Sequence, residues 1–488
     1  MTLLIHKKKG ALFFCLSCLL ILSISFINTA SAADQKRQAL QIQELKLQLE
    51  KLENEIKRNK QKAKQSLRKI QKRQRTVQFR GFFSAGVATA DDKALLRLIN
   101  DNQEIGDEPN FQSDSIVGLQ LDAVINDKTR YTHQMTTVGY DINHTVKTEW
   151  AYFSYKLSAN TSIKAGRLRI PFFLLSESLE VGYTYPWVRT PVEIYNLPVS
   201  GYEGATLTHQ FDLGIGYAQA TVYAGSAISS VSALIDAIMK TTDTIGTSFD
   251  YNFHDFQIHL SYLRSNGSFT PNKPCDESSV ITFIGDVLAG SEFDLSSVDC
   301  PGVETLSIAF GIIDQVLAAD PENLLISELY SPEYWSAEYV NIAFKYDNGS
   351  SLLLAEYGVV DIKGYLNPLG PSGYVLYGLR IRQWMPYFAI GSMVTSDRTK
   401  RDVKAMSDRV TSGIGGTAGS VLFNLLRDSG VLSKSRSYTL GANYWINNNL
   451  RAKAEIVHYE NFGETIGFFL SDPGSHSAIY SVAIDGVF

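Results

Sequence analysis

Charged side chains and aromatic rings cluster in this chain in a way that suits noncovalent chemistry. Gly166-Arg167-Leu168-Arg169-Ile170-Pro171-Phe172 sets two guanidiniums just before a segment, 171 to 201, crowded with Tyr183, Tyr185, Pro186, Trp187, Arg189, Pro191, Glu193 and Tyr195. Arg380 and Arg382 alternate with Leu379 and Ile381, and Arg451 and Lys453 alternate with Leu450 and Ala452. Glu177, Glu193 and Glu455 are acids that can oppose them. Charges of both signs across a narrow water-filled gap make a transverse field, which orders water, admits polar solutes and rejects apolar ones. Loop arginines that only pair with a neighbouring wall are the alternative for each residue.

Covalent chemistry has no comparable set. The histidines, among them His133, His209, His259 and His458, lack metal-ligand spacing, and no Gly-x-Ser-x-Gly occurs. Gly413-Ile414-Gly415-Gly416-Thr417-Ala418 imitates a dinucleotide fingerprint but opens no βαβ unit and reads as loop glycine. The sequence leaves open a Ser and a His at one height on one strand face, the arrangement a membrane phospholipase would need. No catalysis, cofactor or metal is implied.

What must position these groups is a train of segments from Val77 to Phe488, each about ten residues long and alternating apolar with polar side chains. Phe256, Ile258, Leu260 and Tyr262 oppose Gln257, His259 and Ser261; Leu450, Ala452, Ala454 and Ile456 oppose Arg451, Lys453 and Glu455. Short and long connections alternate, as in an outer-membrane barrel with short periplasmic turns and long outer loops. Tight turns are expected at Asn126-Asp127, Ala159-Asn160, Gln210 to Asp212, Asn252 to Asp255, Asp347-Asn348-Gly349, around Trp384 and at Asn447-Asn448. With a first strand near Val77 to Ala90 and a last near Ser477 to Phe488, they predict an all-β, sixteen-stranded antiparallel transmembrane barrel over residues 77 to 488. Fourteen and eighteen strands are the alternatives.

The long loops fall at 91 to 112, 171 to 201, 226 to 243, 266 to 333 and 397 to 434. Two of them carry the most information. The segment 171 to 201 is the expected constriction loop. The large extracellular loop, 266 to 333, holds Cys275 and Cys300, which in an exported chain most simply form a disulfide, with two free thiols as the alternative. Val280, Phe283, Ile284, Val287 and Leu288, then Ile308, Ile312, Ile313, Val316 and Leu317, have helical spacing, so this loop is expected to fold as stapled short helices.

Ahead of the strands, Lys7, Lys8 and Lys9 precede an apolar run from Ala11 to Ile27 and a small-residue site at Ala30-Ser31-Ala32, the pattern of a secretory signal peptide over 1 to 32. Residues 33 to 76 carry heptads, with Ile42, Leu49, Ile56, Ala63 and Ile70 at one core position and Leu45, Leu52, Asn59 and Ser66 at the other, predicting an α-helical coiled coil in the periplasm. A lone amphipathic helix is the alternative. Lys57, Arg58, Lys60, Lys62, Lys64, Arg68, Lys69, Lys72, Arg73 and Arg75 make its second half basic, suited to anionic headgroups or to peptidoglycan carboxylates, or simply to a solvated face. The chain as a whole, with 45 basic and 50 acidic residues, is acidic outside this arm, which argues against nucleic acid as a partner.

The hairpin from Glu149 to Phe172, with Trp150-Ala151-Tyr152-Phe153 and then Gly166 to Phe172, resembles the corresponding region of the phosphate-selective porin superfamily. The added N-terminal coiled coil resembles the DcaP-like trimeric porins. That resemblance implies a homotrimer in the outer membrane of a Gram-negative bacterium, in contact with lipid and lipopolysaccharide, with the loop after the fifth strand folded into the lumen. It implies passive diffusion of small hydrophilic, including anionic, solutes. The candidate constriction and solute-binding residues are then Arg167, Arg169, Tyr183, Tyr185, Arg189, Glu193, Arg380, Arg382, Arg451 and Lys453. The dense basic run that phosphate-specific relatives place along the pore is not assembled here. A structural tether or surface adhesin with a plugged barrel is the competing expectation.

Overall fold

The computed structural model describes residues 32–73, 77–91, 96–98, 103–139, 145–195, 199–231, 237–273, 275–289, 300, 302–317, 330, 333–366, 369–415, 418–428, 430–469 and 472–488. The expected signal peptide lies outside the described residues, apart from Ala32. The chain divides into two units, 1–76 and 77–488. The first contains one long helix, α1 (Ala32–Arg73), whose Leu45, Leu49, Leu52 and Ile56 are exposed.

The second unit is a closed ring of sixteen antiparallel strands. They are β1 (Gln78–Ala90), β4 (Ile116–Val124), β5 (Thr129–Val138), β6 (Lys147–Lys156), β7 (Thr161–Arg169), β8 (Gly201–Asp212), β9 (Gly216–Val231) and β10 (Ala237–Phe253), followed by β11 (Phe256–Pro271), β12 (Trp335–Asp347), β13 (Ser351–Lys363), β14 (Ser372–Leu379), β15 (Trp384–Val394), β16 (Lys434–Trp445), β17 (Leu450–Glu460) and β18 (His476–Val487). A small hairpin, β2 (Leu96–Leu98) with β3 (Gln103–Ile105), sits in the first long connection. Sequence neighbours pair around the ring, and β1 closes it on β18 in a register from Phe82↔Val487 to Ala90↔Ile479.

Period-two alternation sets the two faces of the wall. Val222, Ile245, Leu260, Val340, Ile342, Leu440 and Val482 stand exposed on the outside. Closure pairs every strand edge, as a sheet in hydrocarbon requires. Among the described residues no helix is long and apolar enough to cross a membrane, which has no bearing on strands.

The expected turns recur with two adjustments. β8 runs on to Asp212, so that turn lies three residues later than expected. Of the expected loop over 226 to 243, residues 226–231 and 237–243 are instead strand: β9 and β10 extend into it, paired from Ala237↔Val231, with a bulge near Asp243, whose φ is 50°. Lys240-Thr241-Thr242-Asp243-Thr244 is polar on both faces, so no apolar alternation marked it as strand.

The remaining long loops fold. A single helical turn, α2 (Val192–Tyr195), forms within the 171–201 loop. α3 (Glu277–Ala289), α4 (Gly302–Leu317), α5 (Asp397–Ile414) and α6 (Ala418–Asp428) gather at the long-loop end, with the Cys275–Cys300 disulfide linking the starts of α3 and α4. Phe310, Ile313, Val403, Met406, Leu422 and Leu426 share a core with Met239, Phe269 and Trp335 on the strands, so the helices form an anchored cap. Ser396 caps α5 by accepting from Thr399 N, and Gly415, at φ 82°, ends it.

Candidate functional site

The 171–200 loop is the centre of the molecule, held inside the ring by groups on both its flanks and on the far wall. At its root, the Phe172 carbonyl accepts from His259 Nε2 (2.9 Å) and Ser261 Oγ (2.6 Å) on β11. A carbonyl and a carboxylate both only accept, so the imidazolium, with a proton on each nitrogen, satisfies both: Nε2 donates to Phe172 O, and Nδ1 donates to Asp250 at 2.9 Å. Next, Glu356 on β13 gathers Leu174 N (2.9 Å), Asn341 Nδ2 (2.8 Å) and the hydroxyls of Tyr374 (3.1 Å) and Tyr195 (2.5 Å). Phe172, Phe173, Trp187, Ile194 and Tyr195 then pack on inward-facing Leu352, Leu354, Tyr374, Leu376 and Tyr387.

Arg451 and Lys453, two inward positions of β17, bind the loop's backbone. Arg451 Nη2 donates to Gly182 O at 3.0 Å and also to Tyr185 O, and its guanidinium lies 5.2 Å from the Tyr183 ring and 5.6 Å from the Trp445 ring. Lys453 Nζ donates to Gly182 O (2.7 Å) and Trp187 O, pairs with Asp485 at 2.7 Å and sits 4.7 Å from the Tyr185 ring. With relative exposures of 4% and 3%, these two cations hold the loop and do not face water. This corrects the expectation that they line the constriction. Alternation says which face a residue takes, and here the loop covers that face.

The remaining expected residues separate in the same way. Tyr183 donates to Asn448 O at 2.7 Å, so the loop reaches down to a short turn. Glu193 is buried and accepts from Ser437 Oγ; burial raises its pKa above the ordinary carboxylate value, and that hydrogen bond offsets part of the rise. Arg189 pairs with Asp114 at 2.6 Å; burial lowers its pKa, and the Asp114 carboxylate more than offsets this, so the guanidinium stays charged. Arg167 keeps the parity of Ile163 and Ala165 because the β6–β7 register runs without a slip, and it pairs with Glu203 at 3.2 Å on the outer face. Arg380 and Arg382 lie beyond the end of β14, in the turn before β15, where Arg380 binds Asp347 on the neighbouring turn and Arg382 adopts φ 57°. They belong to the short-turn rim, not the inner wall.

Arg169 at the end of β7 bridges the wall and the loop between two cavities. Its Nη2 donates to Glu149 on β6 at 3.0 Å and to Glu180 on the loop at 2.8 Å. On one side of this triad, toward the short turns, a cavity of about 760 Å³ is bordered by Arg169, Trp150, Lys164, Thr208 and Gln219. On the other side, a cavity of about 560 Å³ is bordered by Glu149, Glu180, Asp114 and Arg189. Both lie along the β4–β11 side of the lumen.

The sequence did not single out Glu149, Glu180, Glu356, Asp114 or Asp485. Glu356 had a signal: it is an acid at inward parity on a strand whose neighbouring inward positions are Leu352 and Leu354. Among the described residues no group of acids, histidines and cysteines is arranged to hold a metal ion.

No family model matches the chain, and no curated protein does. Solved structures with a similar fold include the trimer form of OmpT from Vibrio cholerae (TM-score 0.47, 11% identity, covering 85% of this chain and 99% of that one). The outer membrane channel DcaP of Acinetobacter baumannii follows at TM-score 0.45 and 11% identity, covering 84% and 97%. An anion-selective porin from Comamonas acidovorans gives 0.46 and 10%, covering 85% and 99%. The strand count and ring closure come from this chain's own pairing, and the functional reading rests on its own geometry.

Proposed function

We propose that this protein is an outer-membrane porin through which small hydrophilic solutes diffuse passively. The observation that carries this reading is the docking of loop residues 171–195 inside the ring: they narrow the lumen and leave two polar-lined cavities, with the Glu149–Arg169–Glu180 triad between them. A ring of sixteen strands is wide enough to leave an aqueous channel. In this reading Arg169 and Arg189, with the acids they pair to, form the constriction, while Tyr183, Tyr185, Glu193, Arg451 and Lys453 set the loop's position. Anion preference is the finer proposal, supported by Lys156, which borders the lower cavity outside the Lys164–Glu177 and Arg169–Glu149–Glu180 pairs.

Further proposals concern assembly. Strands β4 to β7 have only 9 to 10 residues against 16 to 17 in β9 to β11, so one side of the wall is low. Exposed Val117, Phe153 and Tyr155 on that side suit contact with further copies, which supports a DcaP-like homotrimer. The exposed heptad leucines of α1 suit the same copies as a coiled coil, in the periplasm after signal cleavage, where its basic half would meet peptidoglycan or lipid. The second reading, a tether or adhesin with a plugged barrel, is favoured by the apolar cores of loop and cap. Purified protein in a planar bilayer distinguishes them: stable stepwise conductance is expected, and silent insertion into the bilayer sinks the porin.

A further inference from the structure

The lower cavity has a chemistry of its own. Its charged groups are largely committed to one another: Lys164 to Glu177 at 3.7 Å, His259 to Asp250 at 2.9 Å, and Arg169 to Glu149 and Glu180. Lys156, exposed at the short-turn rim, stands outside these pairs. What faces the space is a ladder of neutral groups on β8 and β9. Thr208 and Thr221 hydroxyls lie 3.2 Å apart, and Gln210 donates to Gln219 at 3.3 Å. Gln210 and Gln219 each keep a donor and an acceptor for a guest, and of the two hydroxyls one keeps its proton while both keep acceptor lone pairs.

Facing the ladder are aromatic rings. Trp150 and Tyr152 stand 6.1 Å apart between centroids, and the Trp150 indole N–H is buried without a hydrogen-bond partner. A polyhydroxylated ring matches this pairing. Its C–H face lies on an aromatic surface, while its hydroxyls, each donor and acceptor, meet amides and hydroxyls that between them donate and accept. A free anion finds Lys164 and Arg169 already paired, and an apolar solute would leave the ladder's polar groups unsatisfied. At about 760 Å³, the cavity is of a size that holds small molecules.

We infer that the lower chamber is a transient binding site for neutral polyhydroxylated solutes of the mono- to trisaccharide class. The inference rests on the porin reading for its route, though the site itself does not. The test uses the purified full chain, with maltotriose as probe and inorganic phosphate and a size-matched polyethylene glycol as controls. In planar bilayers maltotriose should interrupt the current in a concentration-dependent way, and neither control should. Replacing ladder groups by Thr208→Val with Gln219→Leu should weaken that block roughly tenfold, the value of one to two hydrogen bonds. Interruption by phosphate, equal interruption by the polymer, or no block in conducting channels overturns the inference.

Tryptophan fluorescence in detergent separates the two readings. Maltotriose should change the emission of the native chain but not of Trp150→Phe, which keeps a ring at that position. Absent conductance with this signal intact removes the porin and leaves the site; conductance with no signal and no block removes the site and leaves the porin. Loss of both removes both.

Discussion

Inward positions of β13 to β15 include Leu352, Leu354, Tyr374, Leu376, Met385 and Tyr387. Those of β8 to β10 nearer the short turns instead include Thr206, Thr208, Gln210, Gln219, Thr221 and Ser248, which border the lower cavity, with Tyr202 and Tyr223 joining the apolar core beyond them. The same closed sheet therefore has two inner walls. One is an apolar seat for the 171–200 loop, and its few ionic groups are turned to backbone carbonyls or to buried partners. The other is a wet wall of hydroxyls and amides. The difference shows that a barrel's inward face does not by itself define a channel surface. Whether an inward cation conducts or fastens depends on what lies over it, and on β17 that is the loop.

Excising the fastened element should give the largest effect. Replacing 183 to 195 by a short Gly-Ser link should raise single-channel conductance severalfold, because it removes Trp187 and Tyr195 from the lumen; an unchanged conductance would place the loop outside the path. Weakening its fastening comes next. Lys453→Met leaves Asp485 buried without its cation, so stability should fall by about 3–5 kcal/mol, read as a lower urea midpoint in detergent, with noisier channel openings. A midpoint like the native one would mean that Asp485 finds water, and that the seat is wetter than its burial indicates. The smallest effect belongs to the boundary between the two walls. Arg169→Gln removes one positive charge between the cavities while Glu149 and Glu180 stay, so the reversal potential in a salt gradient should move toward cation selectivity with a modest rise in conductance. No movement would separate the triad from the ion path.

Much of this arrangement was legible in the sequence. Period-two alternation and turn residues predicted the sixteen strands, because each strand needs one face for lipid and one for the lumen. Pro and aromatic content marked the 171–201 loop, and helical spacing marked α3 and α4. The 226–243 stretch was illegible because Thr and Lys on both faces erase the alternation. The site was only half legible. Arg167, expected at the constriction, instead shares the outer face with Ile163 and Ala165, because no slip occurs at Gly166. The alternation does not reveal that Arg451 and Lys453 lie beneath a loop some 270 positions earlier in the chain. Nor could it pair Arg169 with Glu180, since that pair depends on how the loop turns after Phe172.

The closure of β1 on β18 also bears on how the molecule is made. Ser84 Oγ donates to Asp485 at 2.7 Å across 401 positions, and Phe488 exchanges two backbone hydrogen bonds with Gly81. Contacts of such long sequence separation make folding slow. The loop's clamp on β17 and β18 obeys the same order: Gly182 and Trp187 have no Lys453 to meet until the end of the chain has arrived. The clamp that narrows the lumen therefore depends on strands from both ends of the barrel being in place.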